Sequence, residues 1–436
     1  MKRLILLCLA VLFLAGMYVF AEGSQEAAAV NLSDPVTLTL WTHEDVNRKA
    51  LEAELIEEFC RQYPNVSVDY QTYPSTKMRE ILTVAFSADQ GPDIFNQSQS
   101  VIRQFVVQGR ASSLDPEWIG EKTLENVKSR YIPGALEAVE LNGEIYGLPL
   151  EYTNFCMYLN KGIFRDAGLD AEKDYPKTWE DVLSLSERLV LRNGEIITRR
   201  GYDFRYPSYT MQFLPMVEQL GGRLISEDGK SAIVGDEAWL QFFRYMKEWG
   251  PTGKNLGGPT YTAARKVFDN NDNEIAMSDS GLYQQGRMKT ANPDFFESND
   301  WMIVPFPQWQ NAKKEVAGAI ACHYYLVNGQ IPLARQIWAW RLVDFMLTHS
   351  EEYLSRVNLV QPTYSLLNSD TFKAIPYSDV FARDMQKAHL VYYAENSAAI
   401  NDKFKAAVES AMVLGEDPAV VLSKFRKEVQ DIIDSE

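Results

Sequence analysis

Side chains that could perform acid–base chemistry are few in this chain and are spread along its length. Two carboxylates facing each other across a cleft would allow glycoside hydrolysis, and Glu44, Glu151 and Asp279 could in principle supply them. Neither a Gly-x-Ser-x-Gly turn nor a His-Glu-x-x-His helix occurs. The histidines, which are the usual general bases, lie at His43, His323, His349 and His389. A secreted hydrolase is therefore the weaker interpretation, and we expect no enzyme.

Residue types that bind metal ions form one weak cluster, in which Tyr324 and Tyr325 follow His323. Structural zinc sites place cysteine and histidine at short, regular spacings. The cysteines beyond the N-terminal segment lie far apart and form no Cys-x-x-Cys pair. They are Cys60, Cys156 and Cys322. We predict a buried thiol at each of the three positions, and we expect neither a metal ion nor a cofactor.

The composition is that of a folded, acidic protein. Hydrophobic residues make up 46% of the 436 residues and aromatic residues 12%, and the formal net charge is −16 at pH 7. A chain of this length exceeds one ordinary core and indicates two large lobes. Nucleic-acid binding requires clustered Lys and Arg that neutralise phosphates, so we expect no nucleic-acid partner. The same charge disfavours a strongly anionic ligand, although a local basic pocket would override it.

The N-terminal segment has the pattern of a secretory signal peptide. Lys2 and Arg3 precede a long apolar run, and small and polar residues follow it near Ala21. This order predicts a signal peptide over residues 1–21, a flexible linker over residues 22–34 and a periplasmic or otherwise extracytoplasmic location. The alternative is an uncleaved membrane anchor, because the apolar run approaches the length that spans a bilayer.

The chain after the linker begins with a βαβ pattern. Residues 36–41 alternate as a strand, residues 47–63 repeat apolar positions at helical spacing, and residues 66–70 form a second strand pattern. Such a unit builds a parallel sheet, and open α/β sheets bind ligands at the carboxyl ends of their strands. His43 and Glu44 follow the first strand and are therefore candidate ligand contacts. The alternative for both is an ordinary turn at a helix N-terminus.

A turn and two apolar runs mark the middle of the chain. Asn142 and Gly143 form a strong signal for a two-residue hairpin, because a type I′ turn needs positive φ at both central positions. Pro149 ends the first run, and residues 155–160 form the second run of β-prone side chains. The polar segment between the runs contains Glu151, Tyr152, Thr153 and Asn154.

This region resembles the extracellular solute-binding proteins of ABC sugar importers, in particular the maltodextrin-binding-protein-like family 1. The matching residues are Asn142-Gly143, Tyr146-Gly147-Leu148-Pro149, Tyr158-Leu159-Asn160-Lys161, Phe164, Ala167-Gly168-Leu169 and Pro176-Lys177-Thr178-Trp179-Glu180. Leu159 stands where the family usually has Tyr. The resemblance implies an α/β fold of the periplasmic binding protein type II kind, in which two Rossmann-like lobes are joined by three hinge crossings and the ligand lies in the cleft between them.

The resemblance also implies where the lobes divide. Crossings are expected near residues 149–153, 304–307 and 360–363, where polar or proline-marked segments occur. The implied N-terminal lobe comprises residues 35–150 and 304–357, and the implied C-terminal lobe comprises residues 151–303 and 358–436.

Candidate ligand residues follow from the same resemblance at matching positions. Tyr283 stands where the family carries a Trp that stacks on a sugar, and stacking suits the apolar face of a pyranose. For Tyr209 and Gln212, in an aromatic-rich helix, core packing is the competing interpretation. The further candidates are Gln97, Ser98, Tyr152, Thr153, Asn154, Asp279, His323, Tyr324 and Gln361.

The function that the resemblance implies is capture of a sugar or oligosaccharide and its delivery to a membrane permease of an ABC transporter. The chain would act as a monomer that closes its lobes around the ligand, with no covalent step. The alternative within binding is a different ligand, namely a metal ion, a polyamine, a peptide or an anion.

Overall fold

The computed structural model describes residues 30–202, 204, 210–226, 229–257, 275–321, 323–389 and 397–435. The described chain divides at residue 35 into two units. A short hydrogen bond from the Asn31 side chain to Asp34, 2.9 Å long, lies within the first unit. All further statements concern the second unit, Val36–Glu436.

The elements of this unit are short strands that alternate with helices. The strands are β1 (Val36–His43), β2 (Val66–Tyr73), β3 (Ile94–Ser98), β4 (Glu140–Leu141), β5 (Glu144–Ile145), β6 (Leu148–Pro149), β7 (Tyr152–Asn154), β8 (Cys156–Asn160), β9 (Leu191–Asn193), β10 (Ile196–Tyr202), β11 (Ile275–Ser280), β12 (Trp301–Val304), β13 (Ala317–Ala321), β14 (His323–Val327) and β15 (Ala388–His389).

The helices vary more in length than the strands. They are α1 (Val46–Gln62), α2 (Ser75–Ser87), α3 (Gln99–Val107), α4 (Leu124–Lys128), α5 (Lys161–Asp166), α6 (Ala171–Asp174), α7 (Trp179–Leu189), α8 (Thr210–Gln219), α9 (Glu237–Trp249), α10 (Tyr283–Ala291), α11 (Pro293–Ser298), α12 (Leu333–Thr348), α13 (Ser350–Glu352), α14 (Tyr364–Asn368), α15 (Asp370–Lys373), α16 (Ser378–Met385), α17 (Ser397–Met412) and α18 (Pro418–Ile433), with a 3₁₀ turn at Pro116–Ile119 and a π-helix at Tyr353–Val357.

The first sheet has the strand order β2-β1-β3-β14-β6. β1 runs parallel to β2 in a register that joins Val36 to Val66 and His43 to Tyr73, and β3 is also parallel to β1. β14 is antiparallel to both β3 and β6. The predicted βαβ opening is thus confirmed. A late strand inserts between two early ones, so the chain must return to this lobe after building the second.

The second sheet has the order β12-β8-β11-β10-β9 and is surrounded by an aromatic core. Thr178 caps α7 as predicted: its hydroxyl accepts the Asp181 N–H at 3.1 Å, and the Asp181 carboxylate accepts the Thr178 N–H at 3.0 Å. This reciprocal pair satisfies two N–H groups that a helix start leaves free. Trp179, next to the cap, is fully buried in the core. The two-lobe α/β prediction is therefore confirmed.

We propose that the first crossing between the lobes lies at residues 149–153, where the chain pairs with a second strand. β7 pairs antiparallel with β13, joining Thr153 to Ile320 and Tyr152 to Ala321. β13 ends at Ala321 and β14 begins at His323, so the chain passes back into the first sheet there.

We propose that this passage, rather than residues 304–307, forms the second crossing. Phe306 and Trp309 are buried in the core of the second lobe. The Phe306 N–H donates to the Asp384 carboxylate at 2.6 Å, and the Trp309 indole donates to the Met216 carbonyl at 2.7 Å. The prolines and the preceding strand pattern of residues 304–307 resemble those of a crossing. The buried aromatic side chains nevertheless keep this segment in the second lobe. We propose that the first lobe resumes at His323.

The segment predicted as the third crossing, residues 360–363, is hydrogen-bonded to β7 and to a segment of the first lobe. The Val360 carbonyl accepts the Tyr152 N–H at 2.7 Å, and the Pro362 carbonyl accepts the Ile132 N–H at 3.0 Å. Because the segment is held on both sides, we propose that it forms the third crossing between the lobes.

Two sequence expectations concern features outside the sheets. Cys156 is buried as predicted, Cys60 is only partly buried, and Cys322 lies outside the described residues. In the ranges that the structure describes, no helix has the length and apolar character needed to cross a membrane. The predicted signal peptide lies outside those ranges.

Candidate ligand-binding site

The carboxyl edge of the first sheet brings two of the predicted histidines into contact. His43 ends β1, and His323 begins the antiparallel strand β14, so both reach the same edge. Their ring centroids are 3.8 Å apart with an angle of 32° between the planes. Ser98 ends β3 and pairs in register with His323. These residues meet where an open α/β sheet offers a site to a ligand.

Both ring nitrogens of His43 have protein partners. The Asn96 side-chain amide lies 2.9 Å from Nδ1 and accepts the His43 backbone N–H at 3.0 Å. The Arg48 guanidinium lies 2.9 Å from Nε2. Burial first, and then the positive charges of His323 and Arg48, lower the pKa of His43 to about 2. His43 is therefore a neutral ring whose two nitrogens both lie against protein groups.

Glu151 is the partner of His323. Its Oε1 atom is 2.8 Å from His323 Nδ1, and each side chain is 27% exposed. Burial opposes ionisation of Glu151, but the hydrogen bond from His323 and the charges of His323 and Arg48 outweigh it, so the pKa of Glu151 lies below its ordinary value. The pair joins the first crossing to the start of β14, which follows the second crossing.

Alternation along the first crossing separates its side chains into two sets. Successive side chains of an extended segment point to opposite faces, so Thr153 lies on the same face as Glu151. Tyr152 and Asn154 are fully buried on the other face. The Tyr152 hydroxyl donates to the Ala388 carbonyl at 3.2 Å, and the Asn154 amide donates to the Phe381 carbonyl at 3.3 Å. Tyr152 and Asn154, although predicted as ligand contacts, thus pack inside the protein.

Thr153 lies next to the part of the site that the second lobe contributes. A Cβ atom added to Gly281 would lie 2.8 Å from the Thr153 methyl group and 2.6 Å from the Tyr283 ring, so only glycine permits this close approach. Tyr283 begins α10 and is half-buried. The Arg287 guanidinium lies over its ring at 4.7 Å from the centroid. Tyr283 therefore stands beside the first crossing, with one ring face covered by Arg287.

The remaining predicted residues divide between the rim and the core. Glu44 is exposed at the rim. Asp279 is 1% exposed and accepts the Tyr202 hydroxyl at 2.5 Å, and the buried Tyr324 hydroxyl donates to the Ala135 carbonyl at 2.9 Å. Asp279 and Tyr324 thus have structural partners in this conformation. Tyr209 lies outside the described residues, and Gln212 is on α8 with its side chain outside the description.

Two of the predicted glutamines are buried with incomplete hydrogen bonding. Within the described part of the chain, neither amide atom of Gln361 has a hydrogen-bond partner, and Gln97 Nε2 also lacks one. Gln361 is 1% exposed and Gln97 is 5% exposed. Buried amides normally find partners, so these two have unused capacity for a ligand or an ordered water.

Sequence reasoning missed three polar residues that shape this site: Arg48, Asn96 and Glu151. Glu151 was noted in the polar segment between the two apolar runs, but it was weighed only as a carboxylate of a hydrolase. Asn96 lies on a strand whose fully buried face gives no sign of a polar role. Arg48 occupies a helical position of the kind that usually carries a solvent-exposed charge. The residues described contain no cluster of ligands suited to a metal ion.

Comparison with known proteins places this geometry in context. Residues 44–352 match the family described as bacterial extracellular solute-binding protein. The maltotriose-binding protein of Pyrococcus abyssi is 22% identical over 409 residues, which are 90% of this chain and 81% of that protein. An arabinooligosaccharide-binding protein of Halalkalibacterium halodurans is 24% identical over 286 residues, or 64% of this chain and 61% of that protein.

The solved structures that resemble this chain share its fold. The cyclic alpha-maltosyl-1,6-maltose binding protein from Arthrobacter globiformis superposes with a TM-score of 0.77 at 15% identity, covering 92% of this chain and 100% of that one. At this identity the likeness shows the fold alone.

Proposed function

Because the chain belongs to the family of bacterial extracellular solute-binding proteins, we propose that it captures a sugar or an oligosaccharide outside the cytoplasm. It would then deliver this ligand to the membrane permease of an ABC importer. The relatives named for maltotriose and arabinooligosaccharides support the sugar class. The chain would work as a monomer without a cofactor or a nucleic-acid partner.

One observation carries this proposal: the first crossing presents Glu151 and Thr153 on one face, between groups from both lobes. The first lobe contributes the stacked histidines, of which His323 bonds Glu151 at 2.8 Å. The second lobe contributes Tyr283, which packs close to Gly281 beside Thr153. Polar groups around an aromatic ring suit a pyranose, because its hydroxyls need hydrogen bonds while its C–H face needs an apolar surface.

The proposed ligand contacts are the residues that reach this face or its rim. They are His43, Glu44, Gln97, Ser98, Thr153, Tyr283, His323 and Gln361, with Tyr209 and Gln212 retained from the family resemblance and Glu151 added. Tyr152, Asn154, Asp279 and Tyr324 support these residues from behind, because their side chains are buried with partners in the protein.

Transport would proceed by closure of the two lobes about the three crossings. A ligand favours the closed form only by as much as it binds that form better than the open one. Groups from both lobes around one crossing provide this difference, because they can contact the same ligand only when the lobes are together. Closure would present surfaces of both lobes to the permease, and the signal peptide would be removed before the protein acts.

A thermal-shift screen of the chain from residue 22 onward tests the proposal. The panel would contain maltotriose, an arabinotriose, single sugars, amino acids, spermidine and divalent metal ions. A ligand that binds the folded form raises the unfolding temperature by mass action, and we expect this for at least one oligosaccharide. A shift with spermidine, a metal ion or an amino acid, together with no response to any sugar, would refute the sugar assignment.

A further inference from the structure

A cavity of about 180 Å³ borders the candidate site at Tyr283. The helix α10 contributes Tyr283, Gly286 and Lys289 to its lining, α11 contributes Phe296, and the π-helix contributes Leu354. An engineered cavity of about 150 Å³ holds benzene, so this space suits one six-membered ring rather than a chain of rings. Tyr283 therefore belongs both to the site beside Thr153 and to this cavity.

The lining of the cavity combines apolar surface with hydrogen-bonding groups. Tyr283, Phe296 and Leu354 supply the apolar surface, and Lys289 and Asn358 supply polar atoms. A pyranose needs both kinds of contact, because it has hydroxyls at its edge and a C–H face. The composition of the lining thus matches a single sugar residue.

Gly286 keeps part of this space open. A Cβ atom added to Gly286 would lie 3.6 Å from the side chain of Asn358, which is an ordinary contact. A larger side chain at position 286 would therefore be tolerated at its Cβ atom and would extend into the cavity.

Two positive charges lie at the cavity. Lys289 lines it, and the Arg287 guanidinium lies 4.7 Å from the centroid of the Tyr283 ring. Both side chains are exposed, and neither forms an ion pair within the part of the chain that the structure describes. The described lining contains no acidic residue. Both cations are thus available to a ligand.

The chemistry of these two cations suits a carboxylate. A guanidinium that lies over a ring keeps its N–H donors, because they point outward in its own plane, where a carboxylate can accept two of them. Lys289 adds a second positive charge. The net charge of −16 does not prevent such binding, because charges in solution are largely screened beyond about 8 Å at physiological salt.

We propose that the cavity is a subsite for one uronic acid residue, a pyranose whose C6 is a carboxylate, within an otherwise neutral oligosaccharide. The sugar ring lies against Tyr283 and Phe296, and its carboxylate is bound by Arg287 and Lys289. This subsite rests on the proposed function, since it assumes that the ligand is an oligosaccharide, and it narrows that function to acidic sugars.

Three matched pairs of sugars test the proposal by calorimetry with the mature chain. The neutral members are maltotriose, cellobiose and galactobiose, and each acidic partner carries a carboxylate at C6 of its non-reducing residue. We expect at least one acid to bind about tenfold more tightly than its neutral partner at low salt. The preference should shrink as the salt concentration rises, because exposed charges are screened.

The outcomes separate the subsite from the sugar assignment. If a neutral sugar binds and its acidic partner binds equally or more weakly in every pair, the acidic subsite is overturned while the sugar assignment stands. If none of the six binds, the subsite is overturned as well, and the thermal-shift screen shows whether the sugar assignment fails with it.

Variants of the two cations test which groups bind the carboxylate. Arg287→Met and Lys289→Met should each reduce the preference for the acid about threefold or more, and the double variant should abolish it. Lys424→Met is the matched control, because Lys424 is an exposed lysine on α18, and it should keep the wild-type preference. A folded double variant with the wild-type preference would overturn the assignment.

A further variant tests the cavity itself. Gly286→Leu should fill the space for the sugar ring and weaken binding of the preferred acid at least tenfold, while circular dichroism shows that the protein is folded. Wild-type affinity of a folded Gly286→Leu protein would show that the acid binds elsewhere. If Gly286→Leu does not fold, the double variant of Arg287 and Lys289 still decides the proposal.

Discussion

The hydrogen-bonded pair of Glu151 and His323 provides the sharpest prediction, because both partners lie at crossings. Glu151→Gln keeps an oxygen that accepts from His323 Nδ1 but removes the negative charge. Hydrogen bonds to charged groups contribute roughly 1.5–3 kcal/mol and neutral ones roughly 0.5–1.5 kcal/mol. Each side chain is 27% exposed, so solvent screens part of the difference. We expect the substitution to lower the free energy of unfolding by about 1 kcal/mol at neutral pH.

The pH dependence of this loss follows from the lowered pKa of Glu151. A carboxylate with a lower pKa in the folded state adds stability above its unfolded value, here 4.5. That stability is lost as the pH falls through the lower folded value. The difference between wild type and Glu151→Gln should therefore be constant near neutrality and should shrink below about pH 4.5.

Urea unfolding of the ligand-free mature chain, at neutral pH and at several acidic values, measures this difference. Glu44→Gln is the matched control, since Glu44 is an exposed carboxylate at the same edge, and it should leave stability unchanged. Equal stability of Glu151→Gln and wild type at neutral pH, or a gap that widens in acid, would refute the reasoning.

Three further predictions concern binding, closure and the fold. Tyr283→Ala should weaken binding of maltotriose, or of the sugar found by screening, by roughly 1–3 kcal/mol through lost apolar contact, as measured by calorimetry. Tyr283→Phe should bind nearly as the wild type does, and wild-type affinity of Tyr283→Ala would exclude stacking. Small-angle scattering should show a smaller radius of gyration at saturating sugar, because hinge closure compacts two lobes, and identical curves would count against closure. Thr178→Ala should lower the free energy of unfolding by about 1 kcal/mol through loss of the α7 cap, with Thr178→Ser restoring most of it in urea unfolding; an unchanged Thr178→Ala midpoint would contradict the role of the capping box.

The parts of the fold that were predicted from sequence have local causes. The βαβ opening follows from periodicity, and the α7 start follows from Thr178 and its partner three residues later. The second crossing that we propose, just before His323, lies later than the predicted residues 304–307, and the reason is not local. Phe306 packs on Trp179 with ring centroids 5.2 Å apart, and Trp309 packs on Tyr245 at 4.9 Å. Only contacts between distant segments decide that this proline-containing stretch stays in the second lobe.

The location of the candidate site was predictable from the sequence, but the contacts between its side chains were not. The end of the first strand indicated the edge where His43 lies, and the family resemblance made His323 a candidate, yet no sequence pattern shows that their rings stack. In the first crossing, Tyr152, Thr153 and Asn154 were all predicted as ligand contacts, although an extended segment places Thr153 on the face opposite to Tyr152 and Asn154. Which face would be buried depended on the pairing with β13 and on segments far along the chain.

Arg48 is a second case in which burial could not be predicted from the local sequence. An arginine four residues before a glutamate on a helix usually forms a solvated pair. Here the helix turns Arg48 and Glu52 inward, where the Glu52 carboxylate accepts hydrogen bonds from Tyr70, Tyr325 and Tyr353 of three other elements. Burial of such a pair is a property of the assembled lobe and leaves no mark in the helix itself.

The hydrogen bonds that Glu52 accepts from two of these tyrosines also bear on how the lobes can move. Tyr325 lies two residues after His323, where the chain re-enters the first lobe, and Tyr353 lies in the π-helix that precedes the third crossing. One carboxylate therefore anchors the first-lobe ends of two separate crossings to α1. We therefore expect that the two proposed crossings do not turn independently at that end, and that the rotation between the lobes takes place on the far side of these anchors.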